Sequence, residues 1–300
     1  YQGPAWYRKH FVLPAETKGK RVVLHFEAAM GKQILYLNGK RIQEHLGGYL
    51  PFTLDLTANG VQAGDSCLLA VFTDNSDDKS YPPGKRQYTL DFAYHGGIYR
   101  DVWMIAKSPV AITDAIDSQI VGGGGVFVHF DKISEKSAQV YVNTEVQNDD
   151  ARSESVTVET TLTDADGKVI KRSSGKLSLK PGEKKSIRQQ MEVKNPTLWS
   201  PDTPYLYRVQ SRIKKGNKSI DGGITRVGIR LAEFRGKDGF WLNGKPFGQL
   251  VGANRHQDFA YVGNALPNSQ QWRDAKRLRD VGCTIIRVAH YPQDPAFMDA

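Results

Sequence analysis

At 300 residues the chain is too long for one ordinary domain, and two or three domains are expected. With 39% hydrophobic and 24% charged residues its composition excludes a disordered chain, and no apolar run reaches the roughly 20 residues needed to cross a bilayer. A net charge of +9 admits nucleic acid or an acidic polysaccharide as partner, but Lys and Arg alternate with Asp and Glu along the whole chain, the pattern of a solvated surface. The densest basic spots, Lys184-Lys185 and Lys214-Lys215, fall where hairpin turns are expected. The two cysteines, Cys67 and Cys283, sit in apolar strand-like runs of separate segments and read as buried thiols, so they do not indicate a compartment. No signal peptide opens the chain, and Tyr1-Gln2-Gly3 reads as the middle of a protein whose leader was trimmed.

Residues 1–107 read as an all-β domain. Val22–Phe26, Gln33–Leu37 and Cys67–Phe72 are strand-length apolar runs. Asn38-Gly39 directly after Leu37 signals a type I′ hairpin, because both central residues must take positive φ. A last strand is expected from Ile98 to Ala106, closed by Lys107-Ser108-Pro109. Short strands at this spacing, without helical periodicity, suggest a jelly-roll sandwich.

Residues 108–230 read as a second, smaller sandwich. Gln139–Val146, Ser155–Glu159 and Lys176–Leu179 alternate apolar and polar, as strands with one buried face must. Asp164-Ala165-Asp166-Gly167 and Pro181-Gly182 are turns, and the run Gly122–Gly125 reads as a flexible loop. About 120 residues of this kind fit an immunoglobulin-like sandwich without the antibody disulfide.

The pattern changes over residues 231–300. Gly239–Pro246 reads as a hairpin and Phe247–Val251 as a short apolar strand. Asn268 or Ser269 caps a helix running to Val281, with Trp272, Ala275 and Leu278 on its apolar face and Gly282 as its stop. Thr284–Val288 is a buried-strand run, and Asp294-Pro295 starts another helix as N-cap and first-turn proline. Strand, helix, strand and helix start open a parallel βα fold. Two parallel strands cannot bury both faces, so the chain is expected to continue past Ala300.

Several motifs occur in one order. Gly3-Pro4-Ala5-Trp6-Tyr7-Arg8-Lys9, Tyr36–Gly39 with Gly47–Phe52, and His95-Gly96-Gly97-Ile98-Tyr99-Arg100-Asp101-Val102 resemble the sugar-binding domain of glycoside hydrolase family 2. Leu198–Tyr207 and Val227–Arg230 resemble that family's immunoglobulin-like domain and its exit. Leu242–Pro246 with Gly252–Asp258, and Ile286–Pro292, resemble its first two barrel strands. The resemblance spans essentially the whole chain. It implies a mostly β, multidomain protein: a jelly-roll sugar-binding sandwich, an immunoglobulin-like β-sandwich, then the first βα units of a TIM barrel, cut off inside the catalytic domain.

The resemblance also implies site residues. In βα barrels function sits on the loops after the strands. Asn254, Arg255 and His256 follow the first strand; Arg287 lies near the end of the second, and His290 follows it. Arg and His can bond sugar hydroxyls and orient a carboxylate. On residue type alone His256 and His290 read as core histidines bonded to backbone; with the resemblance they read as sugar contacts. Arg287, inside an apolar strand, is not expected at the free surface and serves either a sugar contact or an ion pair beneath the site. Asn254 and Arg255 either contact sugar or tie the loop backbone. The stretch Asp91–Ile98 resembles the loop by which the first domain reaches the barrel's site, where the aspartate accepts hydroxyl hydrogen bonds; otherwise Asp91 caps a turn. Asp74-Asn75 and the polar run to Lys79 form another loop of that face.

A retaining glycosidase needs two carboxyl groups about 5–5.5 Å apart. In the family these are glutamates on later barrel strands; neither Glu44 nor Glu233 matches, so no catalytic residue is expected in this chain, and the chain alone is expected to be inactive. The implied activity is retaining hydrolysis of terminal β-galactosides, on the strength of Asn254-Arg255-His256 and Arg287–Pro292. β-Glucuronidase or β-mannosidase of the same family is the alternative within the class, and a non-catalytic carbohydrate-binding protein the alternative outside it. The expected partner is a carbohydrate, with no nucleic acid, membrane span, cofactor or metal; a homo-oligomer is left open. Export to the periplasm or the medium is expected by likeness to polysaccharide-degrading relatives.

Overall fold

The computed structural model describes all 300 residues. They form two compact units, one of Tyr1–Ala106 with Val251–Ala300 and one of Lys107–Leu250. No helix is long and apolar enough to cross a membrane.

The first unit begins with a sandwich of nine strands: β1 (Pro4–Val12), β2 (Arg21–Phe26), β3 (Ala29–Met30), β4 (Lys32–Leu37), β5 (Lys40–Leu46), β6 (Phe52–Asp55), β7 (Ser66–Asp74), β8 (Gly97–Ile98) and β9 (Val102–Lys107). One sheet has the order β1-β7-β4-β5, a second β6-β2-β9, and β3 pairs with β8. The β4–β5 hairpin turns on Asn38 (φ 51°) and Gly39 (φ 83°), the left-handed pair that the Asn-Gly dipeptide selects. Alternation carries Cys67, Leu69 and Val71 inward from β7, against Leu24, Leu35, Leu54 and Leu56 and a stacked Phe26–Phe52 pair with ring centroids 4.7 Å apart.

The expected last strand, Ile98–Ala106, is in fact two. It breaks between β8 and β9, where Tyr99 and Arg100 turn inward and are buried. Apolar periodicity runs straight through this break, because Tyr99 packs as a core residue while its hydroxyl donates to the Gly48 carbonyl at 2.5 Å.

The second unit holds the second sandwich: β10 (Val110–Ile112), α1 (Ala115–Ser118), β11 (Val126–Asp131), β12 (Ser137–Asn148), β13 (Glu154–Thr163), β14 (Val169–Leu179), β15 (Lys184–Lys194), β16 (Tyr207–Lys215) and β17 (Lys218–Val227). β12 pairs with β10, β11 and β15, facing a sheet of order β14-β13-β16-β17. Val140, Val142, Leu162, Met191 and Val209 fill one part of the core; Val146, Val158, Leu179 and Ile213 fill the other. The Gly122–Gly125 run, read as a flexible loop, is tied at its end: Gly125 N donates to Thr113 Oγ1, and Glu145 N to the Gly125 carbonyl. The Glu145 carboxylate is buried there and accepts from the Thr113 and Ser118 hydroxyls. The two lysine pairs lie at strand ends rather than in turns, with Lys185, Lys214 and Lys215 paired to Glu183, Glu159 and Glu154.

This unit closes with β18 (Ala232–Phe234), β19 (Phe240–Leu242) and β20 (Lys245–Pro246), the last two joined at Asn243 (φ 54°) and Gly244 (φ 78°). Trp199 anchors the segment. Its N–H donates to Ile229 O, its carbonyl accepts from Asn243 Nδ2, and Arg230 lies over its ring at 4.7 Å.

The remainder of the first unit is β21 (Gly252–Arg255), α2 (Asn268–Asp280), β22 (Ile285–Val288) and α3 (Pro295–Asp299). β21 and β22 are parallel, so this is a βαβ unit followed by a helix. Four expectations need correction. Phe247–Val251 is not a strand; pairing begins at Gly252. Cys283 lies in the turn before β22, half-buried, while Cys67 is buried in β7. The strand Ile285–Val288 is not buried: Ile285 is exposed, because the sheet here has only two strands. In α2 the N-cap position is Pro267, and Trp272 is 49% exposed, whereas Gln271 is buried. Polar Gln271 is inward because a buried arginine needs its carbonyl, which hydrophobicity alone does not register. The Asp294 cap stands as expected, its carboxylate accepting from Ala296 N at 2.8 Å.

Candidate functional site

The parallel register sets the site. Asn254 lies opposite Arg287, and Arg255 opposite Val288. Successive side chains on a strand point to opposite faces. Asn254 and Arg287 therefore share one exposed face, with Arg287 Nη1 donating to Asn254 Oδ1 at 3.3 Å. Arg287, expected to be buried in an apolar strand, is exposed on this two-stranded sheet, where no further strand covers its face.

Arg255 takes the other face and is the buried arginine, 5% exposed. Its guanidinium donates to Gln293 Oε1, to Gln271 Oε1 at 2.7 Å and to Asp274 Oδ2 at 2.8 Å, and stacks over Phe297 at 4.1 Å. These partners come from α2, the loop after β22 and α3. Arg255 therefore ties the loops together from beneath rather than meeting a ligand.

Beyond the strand ends the loops bring His256 and His290 together, ring centroids 5.4 Å apart. Phe92, from the long connection between β7 and β8, lies 5.9 Å from His256, 5.4 Å from His290 and 5.6 Å from Tyr291. Asp91, its neighbour, places Oδ2 3.7 Å from His290 Nε2, an ion pair whenever the imidazole is protonated. The Asp91 side chain is 78% exposed and that of His290 30%, so both remain open to a ligand. His256 Nδ1 is buried and makes no hydrogen bond. The peptide bond between Ala289 and His290 is cis.

An aromatic layer supports this cluster. Tyr49 and Tyr291 stack with centroids 4.5 Å apart and planes within 2°. Ala28, Met30, Tyr94 and Tyr99 complete the group. Burial pushes the Tyr49 and Tyr94 phenols well above their ordinary range and Tyr99 up to about 12. Tyr94 also donates to Asp77, and that hydrogen bond holds the Asp77 carboxyl below the usual range. Burial raises Glu27 although the Trp103 indole donates to it at 2.8 Å.

The structure thus brings Asp91, His256 and His290 into one cluster and places Asn254 and Arg287 on the adjoining strand face. The Asp74–Lys79 loop plays another part: Asn75 is buried, accepting from Gly3 N and donating to the Tyr94 carbonyl. Residue reading missed Phe92, Tyr49 and Arg100. Phe92 is signalled only by its place beside Asp91; nothing in the periodicity marks the other two.

Two sandwich folds followed in the chain by a βαβ opening, with polar residues gathered at the strand ends, agree with comparison to known families. Residues 1–109 match the sugar-binding domain of glycosyl hydrolases family 2, residues 124–230 match the glycosyl hydrolases family 2 model, and residues 234–300 match that family's TIM barrel domain. The chain belongs to glycoside hydrolase family 2. It is 34% identical over its whole length to a β-galactosidase of Thermoanaerobacter pseudethanolicus and 33% identical to a β-glucuronidase of Formosa agariphila, covering 38% and 31% of those proteins. The crystal structure of Bacteroides uniformis β-glucuronidase matches all of this chain with a TM-score of 0.90 at 33% identity, over 35% of its own length. The chain therefore spans about a third of the length of these relatives.

Proposed function

We propose that this chain forms the sugar-binding part of a retaining β-glycosidase that removes terminal β-galactosyl residues from oligo- or polysaccharides. The observation that carries the reading is the approach of Asp91, from the sandwich, to His290, from the loop after the second barrel strand, at 3.7 Å. A carboxylate accepts two hydroxyls of a vicinal diol, and imidazoles donate or accept beside it. Phe92, partly exposed and packed on the buried Tyr291, offers an apolar surface that fits the C–H face of a sugar ring. Asn254 and Arg287 supply a further amide and cation on the adjoining face. In this reading the acid/base and nucleophile carboxylates lie on later barrel strands, and these residues bind and orient the sugar. Export to the periplasm or the medium is proposed with it, by likeness to polysaccharide-degrading relatives.

β-Glucuronidase is the second reading, supported by relatives of that name at 33% identity, against 34% for the β-galactosidase. The discriminating experiment compares nitrophenyl β-galactoside, β-glucuronide and β-mannoside with the full-length enzyme. Fastest turnover of the galactoside is expected. Preference for the glucuronide transfers the assignment to the second reading, and turnover of none of the three sinks both.

A further inference from the structure

Arg100 reaches both loops that build the candidate site. The break between β8 and β9 turns it inward, where it is 9% exposed. Its Nη1 donates to the Tyr49 carbonyl at 3.3 Å; its Nη2 donates to the Pro292 carbonyl at 2.6 Å and to Gln257 Oε1 at 3.1 Å. The guanidinium carbon sits 5.3 Å from the centroid of the Tyr99 ring. All three acceptors are neutral, and they belong to three segments: the connection between β5 and β6, the loop after β21 and the loop after β22. Each acceptor adjoins the site. Tyr49 stacks on Tyr291, Gln257 follows His256, and Pro292 lies two residues after His290. A buried cation is costly unless hydrogen-bonded, so this fork selects the arrangement in which all three segments meet it. A lysine, with one nitrogen, has no planar fork to span them.

We propose that Arg100 is a positioning residue that fixes the two barrel loops against the sandwich, so that His256 and His290 face Asp91. The proposal rests on the reading of those three residues as sugar contacts. It gives the sandwich a role beyond lending Asp91: its buried arginine sets the separation between its own sugar contact and those of the barrel. Misplacement by about 1 Å costs up to roughly a hundredfold in rate.

The test compares Arg100→Met with the milder Gln257→Met by hydrogen exchange on the full-length enzyme. The amides of Gly47, Gln257 and Ala289, which donate to the Gly31 carbonyl, the Tyr291 hydroxyl and the Arg255 carbonyl, are expected to exchange at least about tenfold faster in both variants, with β2 and β7 unchanged. Arg100→Lys is not expected to restore protection, as it would if any buried cation sufficed. In the full-length enzyme Arg100→Met should lower kcat/KM by about ten- to a hundredfold. Combined with Asp91→Asn, the loss should be clearly less than the product of the two separate losses. Unchanged exchange in both variants, uniform acceleration across the core, or strict additivity with Asp91→Asn overturns the proposal. If Arg100→Met does not fold, Gln257→Met decides. An enzyme that hydrolyses no β-glycoside overturns the functional reading, while the exchange measurement still judges whether Arg100 holds the loops.

Discussion

Replacing Arg255 with methionine should destabilise the first unit without touching any ligand-facing atom. The guanidinium is buried and serves three side-chain acceptors: Gln271, Gln293 and Asp274. Methionine fills most of the volume but leaves two buried amide carbonyls and one carboxylate without their donor. Breaking a buried ion pair costs about 3–5 kcal/mol, chiefly through the charge left behind. The Asp274 side chain is 22% exposed and regains some hydration, which sets the loss near the lower end, about 3 kcal/mol. With a urea dependence of roughly 2 kcal/mol per molar, the unfolding midpoint of this unit should fall by about 1.5 M. Adding Asp274→Leu removes the stranded charge and should recover about 1 kcal/mol or more, so the two substitutions are non-additive. A loss below about 1 kcal/mol for Arg255→Met, or strict additivity with Asp274→Leu, would refute the account of Arg255 as a buried tie.

Three further outcomes are expected. Tyr99 has its phenol raised from 10.0 to about 12 by burial, so the folded state favours the protonated form; the resulting stability is fully present below pH 10 and is lost as pH rises to about 12. Two units at about 1.4 kcal/mol each put that loss at about 2–3 kcal/mol, visible as an alkaline unfolding transition that Tyr99→Phe weakens; a transition identical in the variant would contradict it. Gly31→Ala should destabilise by more than about 2 kcal/mol, because Gly31 takes φ +87° and a Cβ there would lie 2.0 Å from the Asp74 carbonyl oxygen; thermal melting checks this, and an unchanged Tm would count against the geometry. The purified 300-residue chain should not hydrolyse nitrophenyl β-galactoside above a mock preparation, because neither Glu44 nor Glu233 stands in the candidate site.

Much of the architecture is legible in local chemistry. The Asn38-Gly39 turn, the alternating strands of the second sandwich and the Asp294-Pro295 helix start each follow from one backbone or side-chain preference. The errors have causes that lie far away in the chain. The break after Ile98 and the inward Gln271 are decided by long-range partners, Tyr49 and Arg255, and the exposed Arg287 by a sheet of only two strands. Hydrophobic periodicity assigns an apolar neighbour to the core, and so selects Trp272 over Gln271 and buries Arg287 in place of Arg255. Asp91, His256 and His290 were legible only through resemblance to family motifs, since no spacing in the chain says that residues so far apart in sequence meet. Phe92 and Arg100 lie within the stretches Asp91–Ile98 and His95–Val102 that carry the resemblance, yet neither is assigned a role there, because an aromatic neighbour and a carbonyl-binding fork leave no periodic trace.

The central claim, that sandwich and barrel residues share one sugar pocket, is tested most directly by Asp91→Ala in the full-length enzyme. Losing charge-assisted hydrogen bonds to sugar hydroxyls should cost about 1.5–3 kcal/mol of transition-state binding, roughly ten- to a hundredfold in kcat/KM on the preferred glycoside, at unchanged Tm. Full retention of kcat/KM in the folded variant would mean that Asp91 contacts no sugar and that its approach to His290 is structural.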